Sequence, residues 1–335
     1  MKIVSSCRVY KLHKPFPGGM INVIADRAEE LARRGHEVHV ATTAQNDGKT
    51  AVVEDNGVTV HYLPCKPFKY SPEYYERCIG LCNRLRPDII HADSTARYWW
   101  LGRPGGAKRT AMTSHGTSWS KFISTWNGYR LRKPGPVKFC APALRRQAES
   151  MQQTDVNFAI SRFEYWQIRD VYGCTANTKL LYNPLPDVFF ATPAKPVPKG
   201  GYAFLCKSSP SRGVKAAEQG AKAAGVPFKM VSGIKREDMP AVYDGARALC
   251  IPEWRVEGFD LTIGEAAARG RQAILGATGP NIMEAMDSPW IVLVPSDDAK
   301  AVARALKREP PKVEQSMANR YRLKRHVDKW LEALA

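Results

Sequence analysis

Ala248-Leu-Cys-Ile-Pro-Glu-Trp-Arg-Val-Glu-Gly-Phe-Asp-Leu-Thr-Ile-Gly-Glu-Ala-Ala-Ala-Arg-Gly270 is the stretch on which the fold turns. Its first residues, Ala248 to Ile251, form an apolar run that reads as a buried strand. Pro252 and Gly258 break the chain into a loop. Asp260 to Arg269 then has helical character, and Gly270 stops it. In an open α/β sheet, a strand end that opens onto a helix N-terminus collects anionic ligands, because free backbone N–H groups and the helix dipole both point there. Glu257 and Glu265 flank that turn.

Outward from this stretch the same grammar repeats. Tyr202 to Cys206 reads as a strand, and the loop from Lys207 to Gly213 opens onto a helix over Val214 to Ala224. A cation-bearing Ser/Gly loop at a helix N-terminus is a phosphate cradle on physical grounds. Phe228 to Ser232 is the next strand, followed by a short helix over Met239 to Gly245. Ala273 to Gly276 is a strand running into Ala277-Thr278-Gly279-Pro280, and Ile291 to Val294 is the last. Val313 to Leu334 reads as one closing basic helix.

The first half opens with a strand over Lys2 to Cys7, a Gly18-Gly19 turn and a helix over Met20 to Arg34 ended by Gly35. Strands follow at His36 to Thr42 and, after a polar excursion, at Gly57 to Leu63. A helix spans Pro72 to Leu85, and Pro87 to His91 is the fourth strand. Thr110 to Ser114 adds a strand that ends in His115, where a strand's carboxyl end meets the functional crevice. Val156 to Ser161 and Lys179 to Asn183 close this half. Pro184 to Gly200 carries five prolines, too many for a helix or a central strand, and reads as a linker. The alternation of strand and helix predicts α/β architecture with parallel, doubly wound sheets.

Glu257 and Glu265, with Gly258-Phe259 after the first and Ala266 after the second, resemble the signature of the retaining GT-B glycosyltransferases of family 4. The resemblance implies a GT-B fold, two Rossmann-like doubly wound parallel-sheet domains facing a central cleft. Its parts would be 1–183 on the acceptor side, the linker at 184–200, a nucleotide-sugar domain at 201–312, and a helix at 313–335 crossing back to the first domain. Glu265 would hold the ribose hydroxyls of the donor, and Glu257 would face the transferred sugar and its phosphate. Backbone around Gly258, Phe259, Asp260 and Leu261, with Gly19 opposite, would approach the sugar and diphosphate. His115 would lie near the sugar, and Thr278 and Gly279 would form a further donor-side turn. Lys207 and Arg212 would neutralise the diphosphate, in the reverse of the family's usual order. Asp260 stands where the family usually has Gly. No Asp-x-Asp occurs in the chain, so metal independence is expected; the resemblance implies a hexosyltransferase with no cofactor that uses a nucleotide-sugar co-substrate, a UDP-sugar by preference, with retention of anomeric configuration.

Charge directs attention to the acceptor. Fifty Lys plus Arg against 32 Asp plus Glu leave a net +18, which points to a polyanionic partner. Between Asp93 and Glu149 no acidic residue occurs, while Lys121, Arg130, Arg132, Lys133, Lys138, Arg145 and Arg146 alternate with aromatics such as Trp126. Charges for phosphates and rings for bases suit nucleic acid; the same mixture suits an anionic membrane interface. The first expectation is therefore transfer to a hydroxymethylated pyrimidine in DNA, as in the bacteriophage DNA-base glycosyltransferases, which needs the base flipped out. A membrane-associated enzyme acting on a lipid acceptor is the alternative. A non-catalytic nucleic-acid-binding protein on a GT-B scaffold is a further one.

No apolar run approaches the ~20 residues of a spanning helix, and the N-terminus has no signal-peptide pattern. Eight scattered cysteines, with Cys78 and Cys82 read as packing residues, suit a reducing compartment. The expected location is cytoplasmic, with peripheral membrane contact under the lipid reading.

Overall fold

A computed structural model of the chain describes residues 1–11, 19–45, 47–94, 103–132, 141–206, 209–256 and 258–335, with backbone alone for 127–132 and 210. The first half runs β1 (Lys2–Ser6), α1 (Gly19–Arg33), β2 (Glu37–Thr42), β3 (Ala51–Asp55), β4 (Val58–Tyr62), α2 (Pro72–Leu85), β5 (Ile89–Asp93), β6 (Arg109–Ser114), α3 (Ser118–Arg132), α4 (Ala141–Gln152), β7 (Val156–Ala159), α5 (Arg162–Trp166) and β8 (Thr178–Leu180). The second runs β9 (Tyr202–Cys206), α6 (Val214–Ala224), β10 (Phe228–Val231), α7 (Met239–Asp244), β11 (Ala246–Ile251), α8 (Leu261–Ala268), β12 (Gln272–Gly276), α9 (Gly279–Ala285), β13 (Ile291–Val294), α10 (Ala299–Lys307) and α11 (Leu323–Leu334).

These strands form two sheets. The first has the order β3-β4-β2-β1-β5-β6-β7-β8 and the second β10-β9-β11-β12-β13. All pairs are parallel except β3 with β4. Central strands such as Ile89-Ile-His-Ala-Asp93 and Gln272-Ala-Ile-Leu-Gly276 are buried at every position, because helices cover both faces. The polar excursion before Gly57 turns out to contain β3. It escaped notice because it is an edge strand with alternating burial, and its Val52 is 66% exposed.

The closing segment departs from the single helix expected from Val313. Residues Gln315–Tyr321 form a 3-10 turn, Arg322 is extended with φ −63° and ψ 134°, and α11 starts only at Leu323. α11 lays Val327, Trp330 and Leu334 into the first sheet's core beside Ile3, Val38 and Ile89. α10, absent from the sequence reading, packs along α6, its N-terminus capped by Asp298 accepting from the Ala301 N–H at 2.9 Å. Cys78 and Cys82 are fully buried packing residues on the inner face of α2.

The proline-rich segment is held from inside. Arg269, fully buried, donates to the Phe189, Thr192 and Pro193 carbonyls and pairs with Asp244 at 2.7 Å. Arg271, also fully buried, reaches the Lys195 and Pro196 carbonyls at 2.8 and 3.3 Å. Closely spaced prolines keep this segment out of a sheet ladder, and two guanidiniums supply donors to its carbonyls.

Strand order reverses between β1 and β5 in the first sheet and between β9 and β11 in the second. Crevices for ligands open at such switch points. The two face each other. Asp26 on α1 grips Arg236 of the second half through two bonds of 2.8 and 2.5 Å, and Ser124 on α3 exchanges 2.6 Å bonds with the Val256 backbone. A Cβ placed on Gly19 would stand 2.9 Å from Leu261, so the start of α1 and the start of α8 almost touch.

Candidate active site

Pro252 to Val256 and Gly258 to Asp260 lead from β11 into the gap between the halves. Pro252 is braced from below by the loop that carries Arg212. Gly213 there has φ +71°, and a Cβ would stand 2.4 Å from the Pro252 carbonyl oxygen, so only glycine allows the two loops to meet. Asp260 caps α8, its Oδ1 accepting from the Thr262 N–H at 3.2 Å and from the Thr262 hydroxyl at 2.9 Å.

Two adjoining cavities occupy the gap. The larger, about 490 Å³, runs from Asn22 on α1 past Arg212, Val231 to Ile234, Arg236 and Met239 to Glu265. The smaller, about 160 Å³, is walled by His115, Ile160, Asn183, Gly258 and Phe259. Gly19, Arg255, Asp260 and Leu261 line both. Ligand pockets of roughly 300–1,000 Å³ are the usual range, so the larger chamber has room for a nucleotide and the smaller for a neighbouring group.

In the larger chamber Glu265 accepts the Tyr243 hydroxyl at 2.7 Å through Oε2. Burial pushes its carboxyl up to about 7, against the opposing pull of the Tyr243 hydroxyl. Arg212 is 5% exposed and forms an ion pair with Asp260. Arg255 reaches Asp260 at 3.2 Å and Glu253 at 2.5 Å. Burial alone would raise Asp260, yet the guanidiniums of Arg212 and Arg255 outweigh it and hold the carboxyl at about 2.

In the smaller chamber His115 turns Nε2 to Asp93 Oδ1 at 3.0 Å. Asp93 is fully buried, and its Oδ2 accepts from Arg27 at 2.8 Å. Burial raises Asp93, but Arg27 and His91 override it and keep the carboxylate charged well below the usual range. Asp93, an anionic acceptor at 3.0 Å, places a proton on Nε2 of His115.

The structure thus brings together Gly19, His115, Arg212, Gly258, Phe259, Asp260, Leu261 and Glu265 around one cleft. Phe259 also stacks on Tyr321 at 5.2 Å, so it serves the core as well. Thr278 and Gly279 line neither chamber. A Cβ on Gly279 would stand 2.9 Å from Phe163, which makes that turn a packing seam between the halves. Glu257, Lys207, Lys133 and Lys138 lie outside the described residues, as do the side chains of Arg130 and Arg132. Lys121 and Trp126 stand exposed on α3, and Arg145 pairs with Glu149 at 2.8 Å on α4 beside Arg146; none of the four lines a chamber.

The sequence reading passed over Arg255, Asn22, Arg236, Tyr243 and Asp93. Arg255 stood inside the deciding stretch, and the periodicity of neighbouring elements carried no sign of the rest, which reach the site only through folding.

A family model described as Glycosyltransferase Family 4 matches residues 17–187. The chain belongs to glycosyltransferase family 4. No curated protein matches the chain. Among solved structures, sucrose-phosphate synthase from Thermosynechococcus elongatus is similar at 17% identity and TM-score 0.74, over 99% of this chain and 96% of that one. HepE from Anabaena, solved with UDP-glucose, is similar at 13% identity and TM-score 0.67, over 100% and 99%. WaaG, a glycosyltransferase of lipopolysaccharide biosynthesis, is similar at 13% identity and TM-score 0.64, over 99% of each chain. At these identities the likeness concerns the fold, and the fold of this family 4 member is GT-B. No described helix is long and apolar enough to cross a membrane.

Proposed function

We propose that this family 4 glycosyltransferase takes a hexose from a nucleoside diphosphate sugar, with UDP as the preferred nucleotide, and passes it to a hydroxyl acceptor with retention. The observation that carries this reading is the pair of adjoining chambers between facing strand ends, one with a carboxylate floor and guanidinium wall, the other with a histidine held by a buried carboxylate. UDP and UDP-glucose complexes of the structurally similar HepE support the choice of nucleotide.

In this reading the ribose hydroxyls donate to Glu265, whose other face is anchored by Tyr243. Arg212, Lys207 and the α8 N-terminus stabilise the departing diphosphate as fixed dipoles and charges, so no reorganisation is needed as negative charge builds. Loss of one such contact typically costs ~2.7–4 kcal/mol of barrier. His115 accepts a sugar hydroxyl at Nδ1, and Glu257 orients the sugar as its ring acquires oxocarbenium character. The acceptor hydroxyl attacks on the face the nucleotide leaves.

For the acceptor, the net charge of +18 and the acid-free interval support a polyanion. A hydroxymethylated pyrimidine in DNA is the proposed acceptor, and a lipid on an anionic membrane is the second. The test is transfer of radiolabelled sugar from UDP-, GDP- and ADP-sugars to hydroxymethylcytosine duplex DNA and, in parallel, to anionic liposomes carrying lipid acceptors. Label in DNA, with affinity falling linearly in log salt, supports the first reading. Label in lipid alone replaces it, and label in neither under any donor removes both.

A further inference from the structure

The carboxylate of Asp260 sits where an anionic ligand is expected to sit. Its Oδ1 accepts from the Thr262 backbone N–H at the start of α8, and its Oδ2 accepts from Arg212 and, at 3.2 Å, from Arg255. One helix N-terminal N–H and two guanidiniums are the donor set that a phosphate oxygen uses. Asp260 lines both chambers, at their junction. Arg212 Nε, by contrast, is buried with no partner, so this guanidinium holds one donor in reserve beside the larger chamber. Asp260 also stands where the family resemblance expects glycine, a residue that would leave the seat open.

We propose that Asp260 is a resident anion in the donor-phosphate seat: it competes with the donor's phosphates for Arg212 and Arg255, and so sets both donor affinity and the enzyme's preference among ligands of different phosphate count. This rests on the donor-site reading above. On binding, phosphate oxygens take over the two guanidiniums and the carboxylate must give them up. A rival role makes the opposite forecast: if Asp260 serves to aim the two arginines, its loss weakens phosphate binding.

The experiment measures dissociation constants of the full chain for UDP, ADP and GDP, the matching monophosphates and the nucleosides, by calorimetry, in the wild type and in Asp260→Asn. Asparagine caps a helix as well as aspartate does, so α8 keeps its start. Asp260→Ser, a second uncharged cap, guards against a local fault, and melting curves check that both variants fold. The expected result is diphosphate binding tightened on the order of tenfold in both variants, the lower end of what one close charge does to another. Monophosphates should gain less and nucleosides nothing. Equal or weaker diphosphate binding in folded variants overturns the proposal in favour of arginine positioning, and an equal gain for the nucleosides overturns it in favour of a simple opening of space. Wild type that prefers diphosphate to nucleoside while the variants gain nothing sinks this inference alone. Failure of wild type and variants to bind any nucleotide sinks the donor-site reading with it.

Discussion

Two arginine–carboxylate clusters stand at the carboxyl ends of central strands, one in each half, and they differ in what covers them. Arg27, Asp93 and His91 at the end of β5 are sealed, with Arg27 2% and Asp93 0% exposed. Arg212, Arg255 and Asp260 at the end of β11 border open chambers, with Glu253 buried behind them. The chemistry is shared, while solvent access is not. A sealed ion pair cannot trade partners without leaving a charge stranded, so it fixes geometry, here the ring of His115. A pair at a chamber wall can exchange its carboxylate for an incoming anion at small cost.

The largest effect that would test this contrast is on stability. Asp93→Ala strands the Arg27 guanidinium in the interior and should cost about 3–5 kcal/mol in urea unfolding. Asp260→Asn keeps its cap and should cost far less. Comparable losses would erase the distinction between scaffold and exchange site.

Next in size is the pH dependence of donor binding. Glu265 is raised to about 7, so at lower pH it carries a proton and must lose it before it can accept two ribose hydroxyls. Nucleotide affinity should therefore fall about tenfold per unit below that value and level off above it. Glu265→Gln should flatten the profile; an unchanged slope would move the ribose contact elsewhere. The sign for stability is opposite: a carboxyl raised on folding favours the protonated native state, so its contribution declines as pH rises through about 7.

Tyr243→Phe should act through that same carboxylate. The hydroxyl is one of the influences holding Glu265 down, so its removal should shift the binding midpoint to higher pH and cost about 0.5–1.5 kcal/mol of stability. Loss of affinity without a moved midpoint would mean that Tyr243 serves packing alone. The smallest effect belongs to Asp26→Ala. The bridge to Arg236 ties the halves at the chamber mouth but is partly exposed, and about 0.2–1 kcal/mol is expected, diminishing with salt. A much larger loss would make this bridge, rather than the core of either half, the main tie across the cleft.

Much of this was written locally. Tyr202–Cys206, Val214–Ala224, Pro72–Leu85 and Ile291–Val294 match the elements read from hydrophobic period and turn residues. β3 was hidden because one face of an edge strand meets water and its Glu54 and Asp55 read as loop. The break at Arg322 was hidden because periodicity on both sides of it is helical, and only docking onto the first sheet decides where α11 begins.

At the site, the stretch around Glu257 to Glu265 announced itself because strand, turn and helix cap are properties of neighbouring residues. Local order also determined the parallel two-sheet architecture, since alternating periods of two and 3.6 leave few other ways to bury both kinds of surface. Whether an arginine becomes sealed scaffold or chamber wall is another matter. Arg27, Arg212, Arg255, Arg269 and Arg271 are alike as letters; burial, the partner that arrives from a distant segment and the water excluded between them are set by packing. Asp93 meets His115, Tyr243 meets Glu265, and Asp260 meets Arg212 only because two sheets present their switch points to each other. Electrostatic energy depends on distance and dielectric, and neither exists until the chain has folded.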